Sequence, residues 1–289
     1  QGYTVAASEK RWFIREQNAA LSRDIARALN ISPLVSQVLI NRGIDSPEQA
    51  GLFLSARLAD LHSPFLMKDM DRAVGRVLAA VAQKEKICIC GDYDVDGITA
   101  TALLMLFLRD AGADVFFYIP SRIAEGYGLN SDAVNKIKKQ GVQLIITVDC
   151  GISDVEPVAY ANTLGIDVIV TDHHEPPDVL APALALLNPK QPGCPFPFKG
   201  LAGVGVAFNL VMALRKQMRD QGFWQGNEPN LKKYLDLVAV GTIADIVPMV
   251  DENRILVKNG LDVIAEGSRP GLRALKQVSG VATGAVTST

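Results

Sequence analysis

Four short stretches concentrate side chains of the kind that hold divalent cations. They are Gly91-Asp92-Tyr93-Asp94-Val95-Asp96-Gly97, Val148-Asp149-Cys150-Gly151, Thr171-Asp172-His173-His174-Glu175 and Ala244-Asp245-Ile246-Val247-Pro248. The first three follow directly on apolar, β-rich runs, and Asp245 stands in an otherwise apolar stretch. Carboxylates gathered in one place repel and raise one another's pKa unless a cation keeps them ionised. Hard oxygen ligands suit Mg²⁺ or Mn²⁺, and imidazole in the set favours Mn²⁺. Two such ions roughly 3.5–4 Å apart, sharing a carboxylate, turn water into a nucleophile and stabilise an in-line displacement at phosphorus.

Taken singly, each stretch has a plainer reading. Asp92 to Gly97 reads equally as a polar turn after a strand, and Asp149 as a loop residue capping the next helix. The D-x-D-x-D-G pattern imitates a calcium loop, but its twelfth position is Leu103 where a bidentate Glu is required, and a strand precedes it instead of a helix. The paired histidines weigh more, since the chain has only three and the third, His62, falls in a loop without other chemistry. The joint occurrence at successive strand ends is what favours a metal centre.

The elements that must position these residues are legible. Short β-rich runs at Ile87–Cys90, Val115–Ile119, Leu144–Val148, Val168–Val170 and Leu184–Leu187 alternate with helical stretches at Ile98–Asp110, Ser131–Lys139 and Asp154–Leu164. That alternation predicts an α/β fold: a mostly parallel sheet of about five strands with helices on both faces. In such sheets ligands bind beyond the carboxyl ends of the strands, where three of the four stretches fall. Before this lies a helical segment, 1–85, with starts at Asn18, at Ser32-Pro33 and at Ser46-Pro47-Glu48, expected to pack on the catalytic domain. The proline-rich passage Pro189–Pro197 reads as an exposed crossing loop, and a second helical block runs from about Leu201 to Ile264. The domain expectation is therefore 1–85 helical, 86–268 catalytic and 269–289 a C-terminal tail.

These residues resemble a known family. Asp94-x-Asp96-Gly97, Asp149-Cys150-Gly151, Asp172-His173-His174 and Ala244-Asp245-Ile246-Val247-Pro248 match, in order and spacing, the motifs of the DHH phosphoesterase superfamily. Arg42-Gly43, Asp60 to Arg72, Gly91 to Leu104, Ile119-Pro120-Ser121-Arg122, Glu125-Gly126-Tyr127-Gly128 and Leu201 to Gly205 resemble its bacterial RecJ branch of single-strand-specific DNA exonucleases. The resemblance implies a 5′-to-3′ exonuclease of single-stranded DNA in repair and recombination, with single-strand-binding protein and a helicase as partners. It implies two Mn²⁺ or Mg²⁺ ions held by Asp94, Asp96, Asp149, His173 and Asp245, with Asp149 bridging. Asp149 and His174 are then the catalytic pair, Asp92 and Asp172 lie beside the metals, and His174, Arg122 and Tyr127 touch substrate. For Arg122 and Tyr127 a surface loop is the equal alternative. The branch continues into a second, glycine-rich domain, toward which the tail is expected to lead.

Composition narrows the remaining classes. With 48% hydrophobic and 21% charged residues in 289, the chain can bury a sizeable core. Four cysteines without a C-x-x-C pair fit a reduced, cytoplasmic protein better than a disulfide scaffold or zinc site. No apolar run reaches the roughly 18 residues of a membrane span, and Gln1–Lys10 lacks the pattern of a secretory leader. A formal charge of −2 excludes a wholly basic nucleic-acid coat. Lys190 to Gly222 is locally basic, with five cations and one anion, and reads either as a wall of a strand channel or as a solvated helix face. Three alternatives stand against the exonuclease: another DHH phosphoesterase acting on pyrophosphate or short oligonucleotides, an aspartyl-phosphate phosphatase, and a non-catalytic replication scaffold. The second has no use for His173-His174, and the third is disfavoured because every ligand-type position is filled. A dinucleotide site at Gly203-x-Gly205 fails on Phe208, which stands in place of the third glycine.

Overall fold

The structure, a computed structural model, describes residues 13, 16–121, 123, 126, 128–226 and 228–281. Contacts divide the chain into two units, Gln1–Ser55 and Ala56–Thr289. The first holds α1 (Ala19–Leu29), α2 (Pro33–Asn41) and α3 (Pro47–Ser55). Their starts follow local chemistry: the Asn18 side chain accepts the Leu21 N–H, the Ser32 hydroxyl accepts the Val35 N–H, and Pro33 and Pro47 occupy first-turn positions where no N–H is needed. Ile25, Leu39, Ile44 and Ala50 form the apolar centre of this unit.

In the second unit the order is α4 (Met70–Gln83), β1 (Lys86–Gly91), α5 (Val95–Asp110), β2 (Asp114–Tyr118), α6 (Ser131–Lys138), β3 (Leu144–Val148), α7 (Val155–Thr163), β4 (Asp167–Thr171) and β5 (Ala185–Leu187). There follow α8 (Gly203–Asp220), α9 (Leu235–Ala244), α10 (Asp251–Glu266) and α11 (Pro270–Val278), with short 3₁₀ turns at Leu58–Asp60, Pro64–Leu66 and Leu231–Tyr234. The five strands form one all-parallel sheet in the order β2-β1-β3-β4-β5. The strand alternation divides the core into two layers. Ile87, Ile89, Leu144, Ile146 and Ile169 face a cluster built with α4, α5 and α8, whereas Cys88, Cys90, Ile145, Val168 and Val170 face one built with α6 and α7. Burial on both faces is why these strands read as continuous apolar runs, and each fully buried Leu, Ile or Phe contributes about 1.5–3 kcal/mol.

Three elements differ from the sequence reading. Helix α5 starts at Val95 instead of Ile98, because Asp94 caps it: its Oδ1 accepts the Gly97 N–H at 3.0 Å, which draws Asp96 into the first helical turn. The proline-rich passage is a loop but not an exposed one; Gln191, Cys194 and Phe196 are buried, the last two in the α4–α5–α8 layer. Prolines break the helix and sheet pattern, yet the residues between them still close the core. Within the expected tail, residues 270–278 form α11, opened by Pro270 at its first turn. Its neighbour Arg269 forms a two-pronged ion pair with the buried Asp236 of α9. Among the described residues no helix is long and apolar enough to cross a membrane, and no disulfide joins the four buried cysteines.

Strand register sets the stage for the site. Gly91, Val148, Thr171 and Leu187 pair side by side across β1, β3, β4 and β5, so that Asp92, Asp149, Asp172 and Asn188 leave the sheet in one row at its carboxyl edge. The chain runs from β1 out to β2 and back to β3, so the order reverses between β1 and β3, and the crevice at that point is where open α/β sheets bind ligands. The turns from helix to strand, around 111–113, 139–143 and 164–166, all lie at the opposite edge.

Candidate metal centre

Asp149 sits at the middle of the row. It has a left-handed backbone (φ 60°), and its N–H donates to the Thr171 carbonyl at 2.9 Å. The turn is held by Thr147, whose hydroxyl donates to the Cys150 carbonyl at 2.8 Å, and by Thr171, whose hydroxyl donates to the Thr147 carbonyl at 2.7 Å. A non-glycine residue in this conformation costs on the order of 1–2 kcal/mol, so the turn persists only because its surroundings fix it.

His173 follows β4 and turns its Nε2 onto three carboxylates: Asp149 Oδ1 at 3.1 Å, Asp245 Oδ2 at 3.6 Å and Asp96 Oδ2 at 3.9 Å. The nitrogen is buried and makes no hydrogen bond, and the same holds for Asp245 Oδ2. Three sets of potential ligand atoms lie within 4.8 Å of one another: Asp149 with His173 and His174, Asp96 with His173 and Asp245, and Asp92 with Asp94 and Asp149. Every ligand expected from the sequence is thus in one place, and Asp92, expected beside the metals, lies within ligand reach. Burial raises the Asp96 carboxyl to about 8, with the Asp149 charge adding to it. Burial and the Asp94 charge carry Asp149 to about 9, and burial also raises Asp245. Such a cluster binds protons or cations; oxygen donors with one imidazole and a buried imidazole nitrogen aimed among them fit Mn²⁺ or Mg²⁺.

Asp172 and His174 form a second layer of the site. Asp172 Oδ1 accepts the backbone N–H groups of His173 (2.7 Å) and His174 (3.1 Å) and meets His174 Nδ1 at 2.7 Å, while Oδ2 accepts the Ile152 N–H at 2.9 Å. Burial works against charge on Asp172, but the His174 hydrogen bond and these amides keep its carboxyl below the usual range. The same hydrogen bond raises His174 to about 9. Nδ1 is committed to Asp172, and the side chain is 47% exposed.

Asp96 carries a further load. Its Oδ2 accepts the Gly203 N–H at 2.6 Å and its Oδ1 the Val204 N–H at 2.9 Å, so the buried carboxylate also caps α8. Sequence reasoning missed the glycines that allow this approach. A Cβ at Gly203 would lie 2.5 Å from Asp149 Oδ1, and one at Gly241 would lie 2.9 Å from Asp96 Oδ1. The sequence signal is Leu201 to Gly205, which carries the RecJ resemblance and fails as a nucleotide loop but is not placed at the metal centre by either reading. Arg122 and Tyr127 lie outside the described residues. The basic residues of α8 lie down the helix from the centre; Arg215 and Arg219 share Glu228 at 2.6 and 2.5 Å, and Lys216 pairs with Asp220, which is the solvated-face pattern.

Comparison with known proteins agrees with this geometry. The chain is 46% identical over 274 residues to the single-stranded-DNA-specific exonuclease RecJ of Bacillus subtilis (strain 168), covering 95% of this chain and 33% of that protein. A crystal structure of RecJ from Thermus thermophilus in complex with Mn²⁺ superposes with a TM-score of 0.75 at 34% identity, covering 91% of this chain and 36% of the other. The corresponding complex with Mg²⁺ gives 0.62 at 32% identity, with 91% and 33% covered. The chain therefore spans about a third of the length of these relatives. The model of the DHH family's N-terminal domain matches residues 86–242, from the first residue of β1 into α9, and the chain belongs to the DHH family.

Proposed function

We propose that the chain is the catalytic part of a two-metal phosphodiesterase that removes mononucleotides from the 5′ end of single-stranded DNA. The observation that carries this reading is the buried His173 Nε2 facing Asp96, Asp149 and Asp245 at the switch point of the sheet. Asp94, Asp96, Asp149, His173 and Asp245 would hold two ions; Asp149 and His173 each belong to two of the three ligand sets. Mn²⁺ or Mg²⁺, when bound, activates water and offsets charge on the scissile phosphate. His174, kept protonated by Asp172, offers an Nε2–H to a phosphate oxygen, and Asp172 fixes the orientation of the ring through Nδ1. Asp149 acts through its rigid turn, which keeps the carboxylate where both ligand sets meet.

The names of the relatives support the substrate, and the Thermus complexes support the choice of ions. By the same similarity we assign Arg122 and Tyr127 to substrate contact, single-strand-binding protein and a helicase as partners, DNA repair and recombination as the process, and the cytoplasm as the compartment. The test is hydrolysis of 5′-labelled single-stranded and duplex DNA with Mn²⁺ or with EDTA, comparing the chain with its Asp149→Ala variant. Mononucleotides released from single strands only, and abolished by EDTA and by the substitution, are the expected result. Calorimetry showing that the chain binds no Mn²⁺ overturns the reading.

A further inference from the structure

Two ligand-bearing segments of the centre are joined by one side chain that takes no part in either. Asn253, in the first turn of α10, is fully buried, and its Nδ2 donates to the Gly200 carbonyl at 2.6 Å and to the Pro248 carbonyl at 3.0 Å. Gly200 stands three residues before Gly203, whose N–H, with that of Val204, holds Asp96. Pro248 stands three residues after Asp245. Asp96 and Asp245 belong to the same ligand set with His173. The orientation of the amide is set by chemistry: reversed, its oxygen would face two carbonyl oxygens.

The segment between Asp245 and Pro248 needs holding. Ile246 has φ 59°, a left-handed backbone at a β-branched residue, and its side chain is 88% exposed, so no packing compensates. Such strain persists only where neighbouring contacts impose it. The turn is held by the Ile246 N–H to the Ile243 carbonyl at 3.2 Å, the Val250 N–H to the Pro248 carbonyl at 2.9 Å, packing of Val247 against the main core, and Asn253. The first two are local to the turn. Val247 ties it to the core by apolar packing, whereas Asn253 bonds its backbone directly to the Gly200 loop, and the helix of Asn253 is anchored in turn by Glu252, which accepts the His62 N–H at 2.7 Å.

We infer that Asn253 is a positioning residue of the metal centre: it clamps the strained Ile246–Pro248 turn to the loop that supports Asp96, and so keeps Asp245 within reach of His173. This rests on the metal reading proposed above. Without the clamp the turn relaxes and carries Asp245 out of the ligand set. A residue with a merely structural role would lower stability and leave the affinity of the folded protein for metal unchanged.

The experiment is calorimetric titration of the chain with MnCl₂, with Mn²⁺ electron paramagnetic resonance as a second readout and thermal unfolding as a check on folding. Asn253→Ala is expected to bind Mn²⁺ about 10–100-fold more weakly, the range found when groups that orient metal ligands are removed. Adding Ile246→Gly to Asn253→Ala is expected to restore most of that affinity, because glycine takes φ near +60° without strain and nothing then pulls Asp245 away. Unchanged affinity in Asn253→Ala, or a loss that Ile246→Gly does not recover, overturns the clamp. If Asn253→Ala does not fold, Asn253→Leu, which fills the space without a donor, is measured against the same two outcomes. Absence of Mn²⁺ binding by the unsubstituted chain overturns the metal reading and the clamp with it, whereas normal binding there with no change in the variants overturns the clamp alone.

Discussion

Gly203 and Asp149 are packed backbone against side chain: a Cβ at 203 would sit 2.5 Å from Asp149 Oδ1 and 2.7 Å from its Cβ. The N-terminus of α8 can therefore reach Asp96 only because residue 203 has no side chain. Gly203→Ala is expected to displace Asp149 or pull the helix start away from Asp96. Mn²⁺ affinity should fall at least tenfold, with a stability loss of about 1–3 kcal/mol, the usual cost of overpacking. Calorimetry and thermal unfolding check both; an alanine variant with unaltered Mn²⁺ affinity would refute the close approach.

The Asp172–His174 pair predicts a pH effect of definite sign. The hydrogen bond to Asp172 raises His174 to about 9, so the cationic ring persists through neutral pH and is lost as pH rises through that value. In Asp172→Asn the ring titrates closer to its ordinary 6.5, and the protonated form is lost earlier. The pH profile of kcat/KM on single-stranded DNA should move its alkaline limb toward neutrality in the variant. Coincident alkaline limbs in the two proteins would remove His174 from the role proposed.

Asp96 and Asp149 predict how stability follows pH without metal. Their folded-state values, about 8 and about 9, lie above the ordinary 3.8, so the stability they contribute is full below about pH 4 and is lost as pH rises toward 8–9. Metal-free protein is accordingly expected to melt at lower temperature at pH 8 than at pH 5.5. Mn²⁺ replaces the protons, so the rise in Tm that it produces should grow over the same interval. Equal Mn²⁺-induced shifts at the two pH values would contradict these assignments.

Phe196 tests the proline-rich loop. It is fully buried in the α4–α5–α8 layer and meets His62 edge to face at 5.9 Å. Phe196→Ala should cost about 3–5 kcal/mol of stability, as deletion of a core aromatic does, and leave Mn²⁺ affinity of the folded protein within a factor of two or three. Denaturant unfolding gives the first quantity and calorimetry the second; a loss under 1 kcal/mol would mean the loop is not part of the core.

The strands, and the candidate ligands that the fold brings together, were legible because their signals are local. An apolar run followed at once by Asp149 or by Asp172-His173-His174 states both a buried parallel strand and what leaves its carboxyl end. The glycines at 203 and 241, and Asn253, were not legible as parts of the site, because each meets a partner more than 50 positions away: Asp149, Asp96 and Gly200 respectively. Helix α5 was started late since Asp94 and Asp96 look alike in sequence, and only the cap on Gly97 separates the residue outside the helix from the one inside. Phe196 was hidden by its prolines, which announce a loop but not which side of the loop faces inward.

The all-parallel sheet has a practical consequence. The loops after β1, β3 and β4, which carry the candidate ligands, open on one edge, and the returns at 111–113, 139–143 and 164–166 open on the other, about a strand length of 15 Å or more away. Lys139, Gln140 and Gly141 are exposed on that far edge. A fluorophore, an affinity handle or a short inserted loop placed there is separated from the chemistry by the thickness of the core, so the domain can be tethered to a surface with its working edge facing solution.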